Sequence, residues 1–440
     1  MKNPARSLVL IMLLLGALGA AFTGAALYTR LAYLALLLLA VSWLWTFFSL
    51  RGLRVQRRAR SLRASVGDIF EETFEIENAA VLPRLWLEIQ NLSSLPGAAG
   101  SRLLTGLGAR QQRNYLARTW LTRRGAYPLG PTRLRSGDTF GLFSVQRSFP
   151  AADSLLVLPL ILPVADFPSP AGLLPGGRML HQKAAEITPH ASGLREYAAG
   201  DPLKRIHWPS TARRGKLMVK EFENDPQAEV WLMLDAQARW QAEQADDTPK
   251  IWQDWMFSRR PEISLPPSTL EYSVSLTASL AHLFIRQRRA AGLVSEAPVF
   301  TVLRAERGQR QEEKILETLA FVRGEGRLPL LGLVEAQAAQ ISPGASVVLI
   351  TPCGDESLLL AVETLLRRGI HPLVLHLMAQ SFGGPPGGEQ IFDRLLARGV
   401  PALKIARGDN LTDLLTNFVR EQSFAATSPA QNSISWKGDA

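Results

Sequence analysis

The first fifty residues contain two long apolar runs, residues 7–28 and residues 31–50, and neither carries a charge. Each is close to the roughly 20 residues that cross a hydrocarbon core of about 30 Å as a helix. Only Thr29 and Arg30 separate the runs, so the pattern predicts a tight transmembrane hairpin. A secretory signal peptide is the alternative for the first run, but the apolar stretch is too long and a second span follows at once.

Positive residues flank the hairpin and are sparse in its loop. Lys2 and Arg6 precede the first run, six arginines lie within residues 51–63, and the loop offers only Arg30. Positive residues stay on the cytoplasmic side of a membrane. We therefore expect a multi-pass protein of the plasma (inner) membrane with both termini and the body in the cytoplasm. We also expect the basic run to lie on anionic lipid headgroups.

Beyond residue 63 the apolar residues alternate over short stretches, as in residues 70–78 and 85–92, between turn signals such as Ser136-Gly137-Asp138. The spacing predicts a small β-sandwich over residues 64–160. The segment 161–228 begins with prolines and glycines typical of a linker and then contains the densest motif of the chain.

From residue 229 to 424 the pattern changes to alternating strands and helices, which predicts a doubly wound α/β domain. Expected strands are residues 230–234, 345–350, 372–377 and 402–405, and residues 293–304 hold one strand or a hairpin. Ser268 to Glu271 has the form of a capping box that opens a helix running to Ala291, with Gly292 ending it. Residues 241–267 are expected to be an insertion, and the polar tail 425–440 to be disordered.

Composition narrows the function classes only slightly. The 440-residue chain carries a formal charge of +10 with a pI of about 10.0, which suits nucleic acid, an anionic membrane or acidic partners. The placement of the charge beside the hairpin favours the membrane. Cys353 is the only cysteine, so an intrachain disulfide is excluded and a reducing compartment is weakly favoured.

Three motifs together resemble the domain-of-unknown-function 58 family. They are the segments 124–130 (RGAYPLG), 137–143 (GDTFGLF), and the series Arg195-Glu196-Tyr197, Gly200-Asp201, Ile206-His207-Trp208 and Ala212-Arg213. The two-span hairpin is also similar to that family. The resemblance implies a von Willebrand factor A-like (Rossmann-like) C-terminal domain. It further implies association with a MoxR-type AAA+ ATPase and with a membrane transglutaminase-like protein, and a non-enzymatic adaptor or assembly factor that binds proteins.

A von Willebrand A domain often binds a divalent cation through Asp-x-Ser-x-Ser after its first strand, with a Thr and an Asp from later loops. The matching segment keeps Asp235, and Gln237 offers a carbonyl oxygen, but Arg239 stands where a hydroxyl is needed. The matching later loop runs from Thr351 to Asp355, with Asp355 as the outer candidate. Hard cations need clustered oxygen ligands. We therefore expect a degenerate site without metal and no cofactor, with a metal-dependent adhesion module as an alternative.

A cryptic cysteine hydrolase is the second alternative. Cys353 follows a strand, where α/β sites usually lie, and His371 and His376 are near in sequence. Cysteine catalysis needs a base paired with the thiol, and nothing in the sequence places either histidine there. Phosphate-binding Gly-x-x-x-x-Gly-Lys-Ser/Thr, His-Glu-x-x-His and Gly-x-Ser-x-Gly motifs are missing from the chain, so we expect no ATP hydrolysis and no enzyme.

The central motif is the remaining candidate, as a docking surface for an acidic partner segment or as a structural junction. The candidate partner-binding residues are Arg195, Tyr197, Asp201, Arg205, His207, Trp208 and Arg213. As a junction, Asp201 would hold a turn and Trp208, between Ile206 and Pro209, would be buried, and we expect both to join the β-domain to the sheet domain. As a docking surface, the motif would use Trp and Arg as anchors, and we expect Arg195, Arg205 and Arg213 to face the partner. A nucleic-acid surface is a third interpretation, which basic and aromatic composition alone does not support, so no nucleic acid is expected.

Overall fold

The computed structural model describes residues 4–151, 153–167, 191–197, 206–222, 229–244 and 265–427. The described residues form two compact units, one up to Leu160 and the other from Ile161 onward. Of the predicted insertion only the ends fall within the described residues, and residues 428–440 of the predicted tail lie outside them.

The first unit opens with two antiparallel helices, α1 (Pro4–Thr23) and α2 (Ala26–Ser49), both long and apolar enough to cross a membrane. The chain reverses at Gly24, whose φ of 66° favours glycine, and not at the predicted Thr29 and Arg30. Those two residues lie in the first turns of α2. The helices approach closely where small residues face each other, since a Cβ on Gly16 would lie 2.9 Å from the backbone nitrogen of Ala32.

A sheet-rich region follows α2 directly. Its strands are β1 (Leu53–Ala59), β2 (Arg63–Ser65), β3 (Ile69–Asn78), β4 (Arg84–Asn91), β5 (Arg102–Leu107), β6 (Gln112–Trp120), β7 (Gly125–Pro128), β8 (Thr132–Gly137), β9 (Ser144–Phe149) and β10 (Ser154–Leu158). They form three sheets, ordered β1-β3-β6, β2-β10-β7 and β5-β4-β8-β9. The first and third share a core that includes Phe74, Leu87 and Leu134, and the second covers a smaller core around Phe70 and Leu155.

Residues 51–63 belong largely to the sheet-rich region, because β1 begins at Leu53 and pairs with β3. Three arginines of this run pair with glutamates of β3: Arg54 with Glu77, Arg58 with Glu75, and Arg60 with Glu71. Arg57 turns inward and donates two hydrogen bonds to the buried Glu72. Burial raises the pKa of Glu72, partly offset by Arg57. Four of the six arginines are therefore paired within the domain, and contact of the run with lipid headgroups stays a prediction.

The second unit contains a two-stranded antiparallel sheet and an α/β domain. Its elements are β11 (Ala191–Glu196), α3 (Trp208–Arg214), β12 (Met218–Phe222), β13 (Glu229–Leu234), α4 (Thr269–Arg286), β14 (Ala290–Glu296), β15 (Phe300–Glu306), α5 (Gln309–Phe321), α6 (Leu330–Ala338), β16 (Ser346–Thr351), α7 (Glu356–Arg367), β17 (His371–Leu377), α8 (Gly388–Ala397), β18 (Ala402–Ile405) and α9 (Leu411–Thr427). The two-stranded sheet is formed by β11 and β12.

Six strands form one mixed sheet in the order β15-β14-β13-β16-β17-β18. The edge strand β15 is antiparallel to β14, and the other neighbours are parallel. Numbered within the domain, the order is 3-2-1-4-5-6, the doubly wound order whose connections change direction between the first and fourth strands. Here that switch point lies between β13 and β16, the two central strands.

Two local predictions are wrong. Gly292 does not end a helix; α4 ends at Arg286, and Gly292 lies inside β14, where a Cβ would sit 2.6 Å from the Trp231 ring. A glycine is needed because the indole of the neighbouring strand lies over this position. Ser268 is the residue before α4, but its side chain makes no capping hydrogen bond. The short helix α6 has no counterpart in the prediction.

Candidate functional site

The ends of β13 and β16 place one cluster of polar groups at the switch point of the sheet. Asp235 directly follows β13, while Thr351 closes β16 and leads to Cys353 and Asp355 before α7. Because carboxyl ends of parallel strands meet at one edge, residues 116 positions apart become neighbours. The structure thus brings together Asp235 and the loop that contains Asp355, as the sequence pattern predicts.

Asp235 is fully enclosed and both of its carboxylate oxygens are engaged. Thr351 Oγ1 donates to Oδ2 at 2.6 Å, and the backbone N–H of Gln237 donates to Oδ1 at 2.9 Å. Burial raises the pKa of Asp235 to about 6; the two hydrogen bonds oppose the rise, and the nearby Asp355 adds to it. The charged form is therefore disfavoured at this position.

Asp355 serves as the N-cap of α7. Its Oδ1 accepts the backbone N–H of Ser357 at 3.0 Å, which satisfies one free donor of the helix end. Its Oδ2 lies 3.5 Å from a guanidinium nitrogen of Arg239, and Arg239 also stacks over Trp240. Arg239 therefore pairs with Asp355 and not with Asp235.

The residues of this cluster do not fit a divalent cation. Among the described residues, no three His, Cys, Asp or Glu side chains converge in a way that would hold one. Asp235 already accepts hydrogen bonds from a hydroxyl and a backbone amide. Asp355 caps a helix, and the guanidinium of Arg239 brings a positive charge beside it. Gln237 contributes its backbone N–H to Asp235. Hard cations require several free oxygen ligands, and here the acidic oxygens are used within the protein.

The cysteine and the nearby histidines are not arranged as a nucleophile and base. Cys353 is buried and its thiol donates to Asp355 Oδ1 at 3.2 Å, while burial raises the pKa of that thiol. His376 Nε2 lies 2.9 Å from the carbonyl oxygen of Cys353, so the neutral ring donates to the backbone and not to sulfur. Burial lowers the pKa of His376 to about 4. His371 begins β17, at the end of the sheet away from Cys353.

Thr351 begins the later loop of the sequence analysis, whereas Gln241 is a site residue that the sequence analysis does not single out. Thr351 donates to Asp235 and accepts the backbone N–H of Cys353, so it links the two strand ends. Gln241 donates to the carbonyl oxygen of Asp235 and accepts from Thr269, which fixes the loop after β13 on the start of α4. The sequence offers no signal for Gln241, because its two partners belong to different segments of the chain.

The second candidate is the central motif. Its described parts are residues 195–197 and the helix α3 with its flanks. His207 precedes α3 and its carbonyl oxygen accepts the backbone N–H groups of Ser210 and Thr211. Its ring Nδ1 lies 2.8 Å from Ser210 Oγ. The N–H of Met218 donates to Thr211 Oγ1, which holds the helix against β12. The helix is thus fixed by several local hydrogen bonds despite its short length.

Trp208 is exposed over 64% of its surface, so the prediction that it is buried is wrong. Trp208 and Pro209 occupy the first turn of α3. The apolar residues buried next to α3 in the chain are Ile206 before it and Met218 and Val219 after it. The indole of Trp208 is therefore a surface group, and the buried positions of this segment are other residues.

The other residues of the motif differ in their surroundings. Arg213 and the neighbouring Arg214 are exposed in the last turn of α3. Tyr197 is half-buried, and its backbone N–H donates to the carbonyl of Leu217. Arg195 lies in β11 opposite Val219. Asp201 and Arg205 lie outside the described residues.

Comparisons with known proteins support the resemblance in part. The model of the family described as "Protein of unknown function DUF58" matches residues 193–250, which include α3. The chain is 25% identical over 300 residues to the uncharacterized protein YeaD of Bacillus subtilis (strain 168), over 65% of this chain and 67% of YeaD. Neither description assigns an activity.

Solved structures give only distant similarity. The CARDB domain of a Pyrococcus furiosus protein matches at a TM-score of 0.18 with 11% identity, covering 24% of this chain and 91% of that one. A Vibrio harveyi GH20 exo-β-N-acetylglucosaminidase also matches at 0.18, with 9% identity over 74% of this chain and 57% of the enzyme. Scores this low define no shared fold.

Proposed function

We propose that this chain is a membrane-anchored, non-enzymatic adaptor or assembly factor whose body binds protein partners through the surface of α3. The exposed Trp208 is the observation that carries the proposal. A large indole held at the surface of a fixed helix, with Arg213 and Arg214 one to two turns away, has the composition of an interface anchor. Its chemistry fits an acidic segment of a partner protein that also offers an apolar pocket.

The contacts within the strand-end cluster support the non-enzymatic part of the proposal. Catalysis by an activated nucleophile requires a base within reach of it. At this cluster the side chains of Asp235, Thr351, Cys353 and Asp355 satisfy one another or the backbone. Such mutual satisfaction favours a structural role, in which the two central strands are joined at their ends.

The α/β unit is proposed to be of the von Willebrand factor A type. Its strand order of 3-2-1-4-5-6 supports this, as does an aspartate after the first strand joined to a threonine from a later strand. We further propose a MoxR-type AAA+ ATPase and a membrane transglutaminase-like protein as partners, which rests on the motifs that resemble the domain-of-unknown-function 58 family.

The proposed location is the plasma (inner) membrane, with α1 and α2 both spanning it and the body in the cytoplasm. The support is the length and apolar composition of the helices and the basic residues beside their ends, Arg6 and Arg51. A reporter that works only in the cytoplasm should be active when fused to the C-terminus. Activity of a periplasm-only reporter in that place would contradict this orientation.

Capture from native membranes tests the docking role. Trp208→Ala should lose the co-purifying ATPase, because the anchor is removed without touching the core. Phe321→Ala is the matched control, since Phe321 is an exposed aromatic residue near the end of another helix of the same unit. If Trp208→Ala and an Arg213→Glu variant capture partners as well as the control does, α3 is not the docking surface.

A further inference from the structure

Two loops of the sheet-rich region lie beside the end of α2 and expose apolar side chains. The first connects β8 and β9 and spans residues 138–143; the second connects β3 and β4 and spans residues 79–83. We refer to them together as the two apolar tips. Phe140 of the first is 61% exposed and Val81 of the second is 71% exposed.

The first tip has a fixed conformation. Asp138 accepts three backbone N–H groups of its own loop, from Phe140 at 2.9 Å, Leu142 at 3.1 Å and Phe143 at 2.6 Å. The indole N–H of Trp86 donates to the carbonyl oxygen of Asp138. A buried aspartate thus holds the loop closed, and Phe140 is presented outward by a rigid frame and not by a flexible segment.

Residues of the first tip also contact both α1 and α2. Leu142 is buried in a cluster with Val9 of α1 and Ala35 of α2. Thr46 Oγ1 contacts the carbonyl oxygen of Phe143 at 3.5 Å, and the Arg6 guanidinium lies 4.8 Å from the centre of the Phe143 ring. Thr46 is three residues before the end of α2, which at a rise of 1.5 Å per residue places it about 4.5 Å inside the helix end.

The second tip lies against the other side of the junction between α2 and β1. The backbone N–H of Ala79 donates to the carbonyl oxygen of Gly52, and Arg84, just after the tip, donates to the carbonyl oxygens of Phe48 and Arg51. Arg84 therefore binds carbonyl oxygens at the end of α2 and fixes the sheet-rich region to the helix. Val81 consequently stays close to the helix end while remaining exposed.

We propose that the two apolar tips insert into the interfacial layer of the lipid bilayer on the side where α2 ends. This inference rests on the proposed spanning of the membrane by α1 and α2. Apolar groups this exposed on a fixed frame indicate an interaction surface, and the surface is continuous with the lipid-facing helices. An apolar face beside basic residues is typical of segments that enter the boundary of headgroups and acyl chains, about 5–10 Å deep. Arg6 and Arg51 supply the basic groups, each stacked on a phenylalanine of this junction.

The test uses the full chain in liposomes, with an environment-sensitive fluorophore on a single introduced cysteine. Cys353 is buried, and a Cys353→Ala background removes it from labelling. Phe140→Cys and Val81→Cys report on the tips. Leu116→Cys, at an exposed position in the middle of β6, is the matched control for the domain surface. Leu15→Cys, exposed in α1, reports whether the helices span the membrane.

We expect the labels at positions 140 and 81 to show blue-shifted emission, to lose most of their intensity with lipids spin-labelled near the headgroup, and to resist aqueous iodide. The label at position 116 should not be blue-shifted, should keep its intensity with these lipids, and should be quenched by iodide. The label at position 15 should be quenched by lipids spin-labelled deep in the acyl chains.

If position 15 is lipid-quenched while positions 140 and 81 are open to iodide, this inference fails and the spanning proposal stands. If position 15 is not quenched, both fail. Tip labels shielded from lipid and iodide alike would mean that protein covers the tips, which also overturns the inference.

Discussion

Replacing Asp235 by Asn should make the stability of the α/β domain less dependent on pH. In the folded chain burial raises the pKa of Asp235 to about 6 from an ordinary 3.8. Between roughly pH 4 and pH 6 the folded state therefore binds more protons than the unfolded state, so stability falls as the pH rises through this window and is level above it. An asparagine has the same shape and no such titration.

The magnitude follows from the size of the shift. A difference of about two pKa units, at 1.36 kcal/mol each, corresponds to about 3 kcal/mol. At pH 7 the Asn variant avoids the cost of ionising a buried carboxyl group. It also alters the hydrogen bond from Thr351, at a cost of about 1 kcal/mol. The cost of the altered hydrogen bond is the same at both pH values, so it cancels when the two are compared. The unfolded carboxyl group is already more than half ionised at pH 4, so the expected gain for Asp235→Asn at pH 7 relative to its effect at pH 4 is about 2 kcal/mol.

Hydrogen exchange read by mass spectrometry suits this test, because peptides from β13 and β16 report on the domain alone. Exchange rates of the full chain in detergent, corrected for the intrinsic rate at each pH, give the opening free energy of these strands. Asp393→Asn is the control, since Asp393 is exposed on α8. If Asp235→Asn destabilises equally at pH 4 and pH 7, the carboxyl group is already charged without penalty and our account of the site is refuted.

Three further outcomes are expected. Trp208→Ala should change the free energy of unfolding by no more than about 0.5 kcal/mol, as for other surface positions, whereas Met218→Ala should cost about 2–5 kcal/mol in the same thermal melts. Gly292→Ala should cost about 1–3 kcal/mol because its methyl group overlaps the Trp231 ring, and a neutral result would mean that the strands separate easily. Cys353 should react with iodoacetamide only after denaturant is added, since burial raises the pKa of its thiol; rapid labelling of the native chain would contradict this.

Elements with strong periodicity or clear ends are well predicted from the sequence. The expected strands at 345–350 and 402–405 match β16 and β18 to within one residue. These signals are local, since the apolar and β-branched residues that favour a strand lie within the strand itself. The two apolar helices are evident from the sequence because their apolar runs are long. Their turn is misplaced because Gly24, where the chain reverses, differs little in the sequence from the small residues around it.

The sequence by itself determined the order of the segments: two apolar helices, a sheet-rich region, and an α/β region in which Asp235 and Asp355 follow strands. Only the tertiary structure decided which neighbour each polar or aromatic group meets. Arg239 pairs with Asp355, and Trp208 is exposed while Ile206 and Met218, which lie before and after α3 in the chain, are buried. Periodicity specifies which face of an element is apolar, but burial depends on the contacts that distant segments make once the chain has folded.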